Sequence, residues 1–284
     1  MLTKIKAYTK NPLFWELLLG CILLLAAAIV LIVHLAKPAP KPAAPTETTL
    51  FTEPTAATLP PLPENPLQPG DFAYREDYLT CLTAPSVLGI DVSEWQANVD
   101  WQQVKAAGVE FVIIRAGWRG SELGVLTRDT LAQSHYEGAK AAGLKVGAYF
   151  FSQAISLEEA TADGDFLLEI IRDWELDMPV VFDWEHISDS YRTAQVDARL
   201  LTDITKTFCD KIATSGYKPM VYFNAAHAAD RLYLQELTEY GFWLAQYDDQ
   251  MDYPYRVDLW QYTESGTVPG IDGKVDIDLY FPPG

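Results

Sequence analysis

The chain has 284 residues, 49% of them hydrophobic and 21% charged, including 8 Trp, 15 Tyr and 12 Phe. That composition excludes a disordered acidic tail and supplies enough apolar volume for a substantial core. The formal net charge of −18 argues against nucleic acid as a partner, because phosphate binding needs a basic surface.

The charge is unevenly placed. Residues 1–37 carry four lysines and one glutamate, which leaves 17 basic and 38 acidic residues beyond them. Residues 17–33 form an unbroken apolar run, and Leu35 and Ala36 extend it past His34. Some twenty helical residues span roughly 30 Å, the thickness of a bilayer core, and this stretch has no polar face. Lys4, Lys6 and Lys10 precede it, which keeps the N-terminus in the cytoplasm. We therefore expect a cytoplasmic tail (1–12), a transmembrane anchor (13–36) and a domain held outside the cell membrane. A cleaved signal peptide fits less well, since the apolar run continues past Ala26–Ala28. A lipoprotein box at residues 18–21 also fits less well, because apolar rather than polar residues follow Cys21.

Residues 37–70 hold ten of the eighteen prolines. Such a segment favours extended polyproline II over a packed core. It reads as a Pro-rich linker covering 37–85, with 71–85 as its join to a domain at 86–284. Within that domain β-branched and aromatic runs predict strands at 87–91, 111–116, 145–151, 179–184, 219–224, 242–247, 257–262 and 275–280. Helical patterns fall at 101–107, 128–142, 156–173 and 193–215. This alternation predicts an α/β fold, an irregular eight-stranded TIM-like β/α barrel with a parallel sheet. Three cysteines make no disulfide framework, and Cys81 and Cys209 read either as a bridge or as two inert thiols.

Barrel enzymes carry their chemistry at the C-terminal ends of the strands. Asp91, Asp183, Glu185, Asp276 and Asp278 cluster at or near predicted strand ends. Residues two apart on a strand share a face, so Asp183 and Glu185 point the same way, as do Asp276 and Asp278. Like charges on one inward face raise an acid's pKa and favour a protonated partner near neutral pH. An acid kept protonated beside an ionised one suits glycosidic bond cleavage. Trp95, Tyr149, Tyr222, Trp243, Trp260 and Tyr262 lie near the same ends and suit stacking on sugar rings. The amides of Gln96, Gln246 and Gln261 suit bonding to hydroxyls. No nucleophile elbow, P-loop or dinucleotide fingerprint occurs, and the four histidines lack metal-ligand spacing.

Seven ordered segments carry a resemblance. They are residues 89–96 (GIDVSEWQ), 109–117 (VEFVIIRAG), 142–149 (AGLKVGAY), 179–185 (PVVFDWE), 216–219 (GYKP), 259–262 (LWQY) and 275–278 (VDID). Together they make residues 87–280 similar to the family 25 glycoside hydrolases, the Chalaropsis-type lysozymes. The resemblance implies an acidic groove and hydrolysis of the β-1,4 bond between N-acetylmuramic acid and N-acetylglucosamine in peptidoglycan glycan strands. It implies Asp91, Asp183, Glu185 and Asp276 as the catalytic acids, with Glu185 as the general acid. It places Tyr149, Tyr222, Gln246 and Trp260 along the sugar groove, to which Trp95 and Asp278 are added here. No metal or organic cofactor and no obligate protein partner is called for.

The sequence departs from the family at Ala97 (often Gly), Phe150 (often His) and Asp278 (commonly Asn). Asp278 is expected to add negative charge to the groove and shift the pH optimum. Two other readings stand beside the muramidase: a non-catalytic wall-binding module, and a barrel hydrolase of another N-acetylated glycan such as chitin. The acids leave the mechanism open between substrate-assisted retention and inversion.

Overall fold

In the computed structural model, Leu59 and residues 61–283 are described. The expected anchor, the cytoplasmic tail and the first part of the linker lie outside the described residues. Among the described residues no helix is long and apolar enough to cross a membrane.

Strands β3 (Val87–Val92), β4 (Phe111–Arg119), β6 (Lys145–Ser152), β7 (Val180–Trp184), β8 (Pro219–Asn224), β9 (Gly241–Ala245), β10 (Leu259–Gly266) and β11 (Val275–Tyr280) form one sheet. It runs in the order β3-β11-β10-β9-β8-β7-β6-β4, and pairing of β3 with β4 closes it into an eight-stranded barrel. The short β5 (Leu126–Arg128) folds back antiparallel on the end of β4.

Seven of the eight barrel strands run parallel, as expected, but β11 runs antiparallel to both its neighbours, β10 and β3. The cause is the length of its connection. Only residues 267–274 join Gly266 to Val275. A parallel return needs a crossover of a dozen residues or more, whereas a short link forces a hairpin.

Helices α1 (Trp101–Ala106), α2 (Ala132–Ala141), α3 (Leu157–Ile170), α4 (Ala198–Thr214) and α5 (Ala225–Arg231) cover the barrel. All of them except α2 start at a side-chain cap. Asp100 accepts from the backbone N–H groups of Gln102 and Gln103, Ser156 from Glu159, and Asp197 from Leu200 at 2.8 Å. The Asp197 cap explains why α4 begins five residues after its expected start. A 3₁₀ turn, Arg192–Gln195, occupies the residues before it. On α4, Leu201, Ile204, Thr205, Phe208, Cys209 and Ile212 recur at helical spacing and are buried. Phe208 packs on Phe182 of β7, ring centroids 4.6 Å apart. Cys81 and Cys209 are both buried free thiols.

Strand alternation sorts the core into two layers. Phe182, Phe150, Ile114, Val221 and Leu244 face the helices. Phe111, Ile113, Met178, Val181, Met220, Trp243 and Leu259 fill the barrel interior. Gly89 makes room there: a Cβ at its position would meet the Phe111 ring at 2.1 Å.

The expected linker boundary at residue 85 is displaced. Leu62 is buried, Asn65 donates to the Tyr253 carbonyl at 2.9 Å, and residues 72–81 form a hairpin of β1 (Phe72–Arg75) and β2 (Tyr78–Cys81). Phe72 packs edge-on against Trp260 at 4.9 Å. The segment was read as linker because four prolines between 61 and 69 outweigh its few buried apolar residues, Leu62, Phe72, Leu79 and Cys81.

Candidate active site

Five of the parallel barrel strands each carry a polar side chain toward one end of the interior. Asp91 on β3, Tyr149 on β6, Asp183 on β7, Tyr222 on β8 and Gln261 on β10 converge at the C-terminal end of the parallel strands. Asp276 reaches the same place from the opposite direction. It sits near the start of the antiparallel β11, directly across the ladder from Asp91. With Glu185, Trp243, Tyr247 and Glu264 these residues line a cleft of about 170 Å³.

The two acids of β7 share this cleft, while Trp184 between them turns outward and donates from Nε1 to the Ala154 carbonyl at 3.0 Å. Gln261 ties three walls together. Its Nε2 donates to Asp91 Oδ2 at 2.7 Å. Its Oε1 accepts from the hydroxyls of Tyr222 at 2.9 Å and Tyr247 at 3.1 Å. The Glu185 backbone carbonyl is held from behind by Gln153 Nε2 at 2.8 Å. Gln153 is fully buried and accepts from Thr193, and its own carbonyl receives Arg192, which is paired with Glu159.

Burial and mutual repulsion hold these carboxyls toward their protonated forms. Burial raises Asp183 well above the usual carboxylate range, Glu185 adds to the shift, and Arg115 opposes it. Glu185 is raised by burial, then by Asp276 and Glu264. Burial and Glu264 push Asp276 up to about 6, against a side-chain hydrogen bond to Asp91. Asp91 is raised by burial and by Asp276, Asp278 and Asp183, with the Gln261 bond pulling the other way. Asp91 and Asp276 thus each raise or perturb the other's titration from opposite sides of the β3–β11 ladder. Asp183 Oδ1 is buried with no hydrogen-bond partner in the protein. The arrangement can deliver a proton from one acid while a second orders or neutralises charge beside it. Among the described residues no group of three or more His, Cys, Asp or Glu side chains is placed to hold a metal ion.

The expected site residues separate into three groups. Asp91, Asp183, Glu185, Asp276, Tyr149 and Tyr222 are brought together in the cleft. Trp95 is 78% exposed and borders an adjoining depression with Glu94, Arg115 and Trp118. Gln246, Trp260 and Asp278 do not line the cleft. Gln246 turns aside to bond Asp252 Oδ1 at 2.7 Å. Trp260 is fully buried on the outer face, because its neighbour Gln261 takes the inward position.

Asp278 is fully buried one layer below the acids, where it accepts from Trp243 Nε1 at 2.9 Å. Burial, then Asp276, raises it well above the carboxylate range. That shift works against the negative charge expected from this substitution. Phe150, another of the three departures, packs outside the barrel against Phe166 and Phe208.

Four more residues complete the cleft, of which only Trp243 and Gln261 are picked out by the sequence. Trp243 and Gln261 were legible as an aromatic and an amide near strand ends, and alternation alone would have turned Gln261 inward. Tyr247 follows β9 beyond its regular pairing. Glu264 had no such signal: register shifts between Gln261 and Thr263, and again between Thr263 and Gly266, break the alternation that would place it.

Comparison with known proteins agrees with this geometry. The sequence pattern of the glycosyl hydrolases family 25 matches residues 90–271. The autolytic lysozyme of Clostridium acetobutylicum is 29% identical over 195 residues, covering 68% of this chain and 55% of that protein. The structure resembles the modular autolysin LytC from Streptococcus pneumoniae, with a TM-score of 0.62 and 24% identity over 74% of this chain and 52% of that one. It also resembles the bacterial lysozyme from Streptomyces coelicolor, with a TM-score of 0.56 and 25% identity over 70% of this chain and 93% of that one. The chain thus spans only about half the length of the first two relatives. The matched segment contains six barrel strands whole, the end of β3 and all the cleft acids except Asp276, and by that match the chain belongs to glycosyl hydrolase family 25.

Proposed function

We propose that this chain is a membrane-tethered muramidase that hydrolyses the β-1,4 bond between N-acetylmuramic acid and N-acetylglucosamine in peptidoglycan. The observation that carries this reading is the pairing of Asp183 and Glu185 in one desolvated acidic cleft of a family 25 barrel. Both acids are held toward protonation, the state a proton donor needs. Access assigns the donor. Asp183 is 6% exposed, whereas Glu185 is only partly buried. Glu185 therefore protonates the departing glycosidic oxygen. Asp183 orients the 2-acetamido group, whose carbonyl oxygen attacks the anomeric carbon, in a substrate-assisted route. The Asp91–Asp276 pair and Gln261 hold the surrounding hydrogen-bond network. Tyr149, Tyr222, Trp243 and Tyr247 supply ring faces and hydroxyls for the sugars.

The apolar run at 17–33 and the lysines before it support an uncleaved anchor with the catalytic domain outside the membrane. Because packing on the barrel already includes Leu62, the tether is confined to about residues 37–60. It reaches no more than about 85 Å even when fully extended. Action is then limited to wall close to the producing cell's own membrane, which supports a role in remodelling that wall.

Reducing-end analysis of digested peptidoglycan tests the activity. New N-acetylmuramic acid ends are expected. N-acetylglucosamine ends, or cleavage of chitin alone, would overturn the assignment, and binding without any new ends would favour a wall-binding module. The anomer of the first-formed product tests the route: retained configuration is expected, and inversion would remove the acetamido step.

A further inference from the structure

A second groove lies on the back of the ribbon formed by β10 and β11, whose front faces the cleft. In strand register Phe72 pairs with Cys81 and Tyr74 with Leu79, so these four side chains share the face of the β1–β2 hairpin turned to the barrel. Phe72, Leu79 and Cys81 are buried on it, yet Tyr74 is 55% exposed. The hairpin tip overhangs a groove of about 650 Å³ instead of touching the barrel. Tyr74 and Tyr78 overlook this space, with Tyr262 and Ile277 below and Thr263, Thr267 and Asp77 supplying polar groups. Tyr74 and Tyr78 come close enough to Tyr262 to help hold its phenol protonated, and Tyr262 accepts from the Leu79 backbone N–H at 3.4 Å. The hairpin lies before the segment that matches the family.

We propose that this groove is an accessory glycan-binding site, separate from the cleft, that holds a strand of N-acetylated polysaccharide along Tyr74 and Tyr262. The lining chemistry selects the ligand. Phenol rings offer faces for the apolar side of a pyranose, while Asp77, Thr263 and Thr267 meet its hydroxyl and amide groups. The volume admits more than one sugar ring. A cation-seeking or phosphate-binding role would need a charge cluster, and Asp77 is the one charged side chain on this wall. The choice of an N-acetylated glycan rests on the muramidase reading. On it, the groove anchors the domain to the wall while the cleft works on a nearby bond, which raises effective concentration without new contacts in the cleft.

The test uses the full-length chain carrying Glu185→Gln, so that bound wall is not digested, and measures retention on purified insoluble peptidoglycan. Adding Tyr74→Ala is expected to weaken retention at least threefold, on the order of a lost aromatic contact, with Tyr74→Trp restoring it. Tyr74 is more than half exposed, so an unchanged melting temperature should accompany the loss. In the otherwise native enzyme, Tyr74→Ala should slow hydrolysis of insoluble wall more than hydrolysis of a soluble glycan fragment. Competition by a tetramer of N-acetylglucosamine should release the Tyr74-dependent fraction. Retention equal to that of the parent, or release by a stem peptide and not by the tetramer, would overturn the glycan site. If the enzyme opens no glycosidic bond while Tyr74→Ala still weakens retention, the muramidase reading fails and the groove stands.

Discussion

Asp276 and Asp91 face each other across the β3–β11 ladder from strands that run in opposite directions, and their carboxyls share a hydrogen bond in a cleft with three further acids. The pair sets a measurable conflict between stability and function. Burial and Glu264 hold Asp276 at about 6, above its ordinary 3.8. An acid raised in the folded state favours folding below its unfolded pKa, and that advantage is lost as pH rises through the folded value. Asp276→Asn should therefore be more stable than the parent at pH 8, by up to about 3 kcal/mol. The two proteins should converge as pH falls toward 4, and hydrolytic activity should drop at every pH. Denaturant unfolding at pH 4, 6 and 8 checks this; a gain that is the same at all three would remove the titration argument.

Glu185→Gln keeps the shape of the proposed proton donor and removes the proton. Turnover should fall roughly 10²–10⁴-fold while retention on wall persists. In the parent, turnover should decline as pH rises through the raised pKa of Glu185, and this alkaline limb should vanish from the variant's residual activity. Turnover against pH on purified peptidoglycan measures both effects, and full activity in the variant would sink the role.

Gln153 never touches the cleft, but it fixes the carbonyl of Glu185 from behind. Gln153→Ala leaves that carbonyl and Thr193 without their partner, at a cost of about 1–3 kcal/mol. As a positioning residue it should also lower kcat by about tenfold with KM little changed, because a small misplacement of the donor harms the transition state more than binding. A loss of stability with kcat intact would make Gln153 structural only.

Asp278→Asn restores the residue common in the family. Asp278 is buried, held toward its protonated form and bonded to Trp243, and an Asn carbonyl can accept the same indole N–H. The pH optimum of hydrolysis should therefore stay where it is. A clear shift would show that Asp278 carries charge in the working enzyme.

Much of the site was legible because strand periodicity and acid placement report the same geometry. Asp183 and Glu185 two residues apart, with Trp184 between them, needed only alternation to be placed together. The failures have equally local causes. Trp260 and Gln246 were read as groove residues because an aromatic or amide near a strand end looks alike whichever way it points. Only the inward turn of Gln261, fixed by its bond to Asp91, settles that Trp260 faces out. Asp278 was taken as accessible charge because depth inside a barrel has no sequence signal. The direction of β11 was legible in principle, since residues 267–274 are too few for a crossover. The β1–β2 hairpin was hidden by the prolines before it.

Asp91 lies on the first strand of the barrel and Asp276 on the last, at opposite ends of the domain's sequence. Contacts so distant in sequence form late, since the entropy of closing the whole intervening chain must be met before they contribute. The acidic pair comes into being only when β11 slots between β10 and β3 and shuts the barrel. A nascent chain that has yet to release its final strand has no such pair, whatever else has folded. The full set of cleft acids is therefore assembled only by the last strand of the barrel to be joined to the chain.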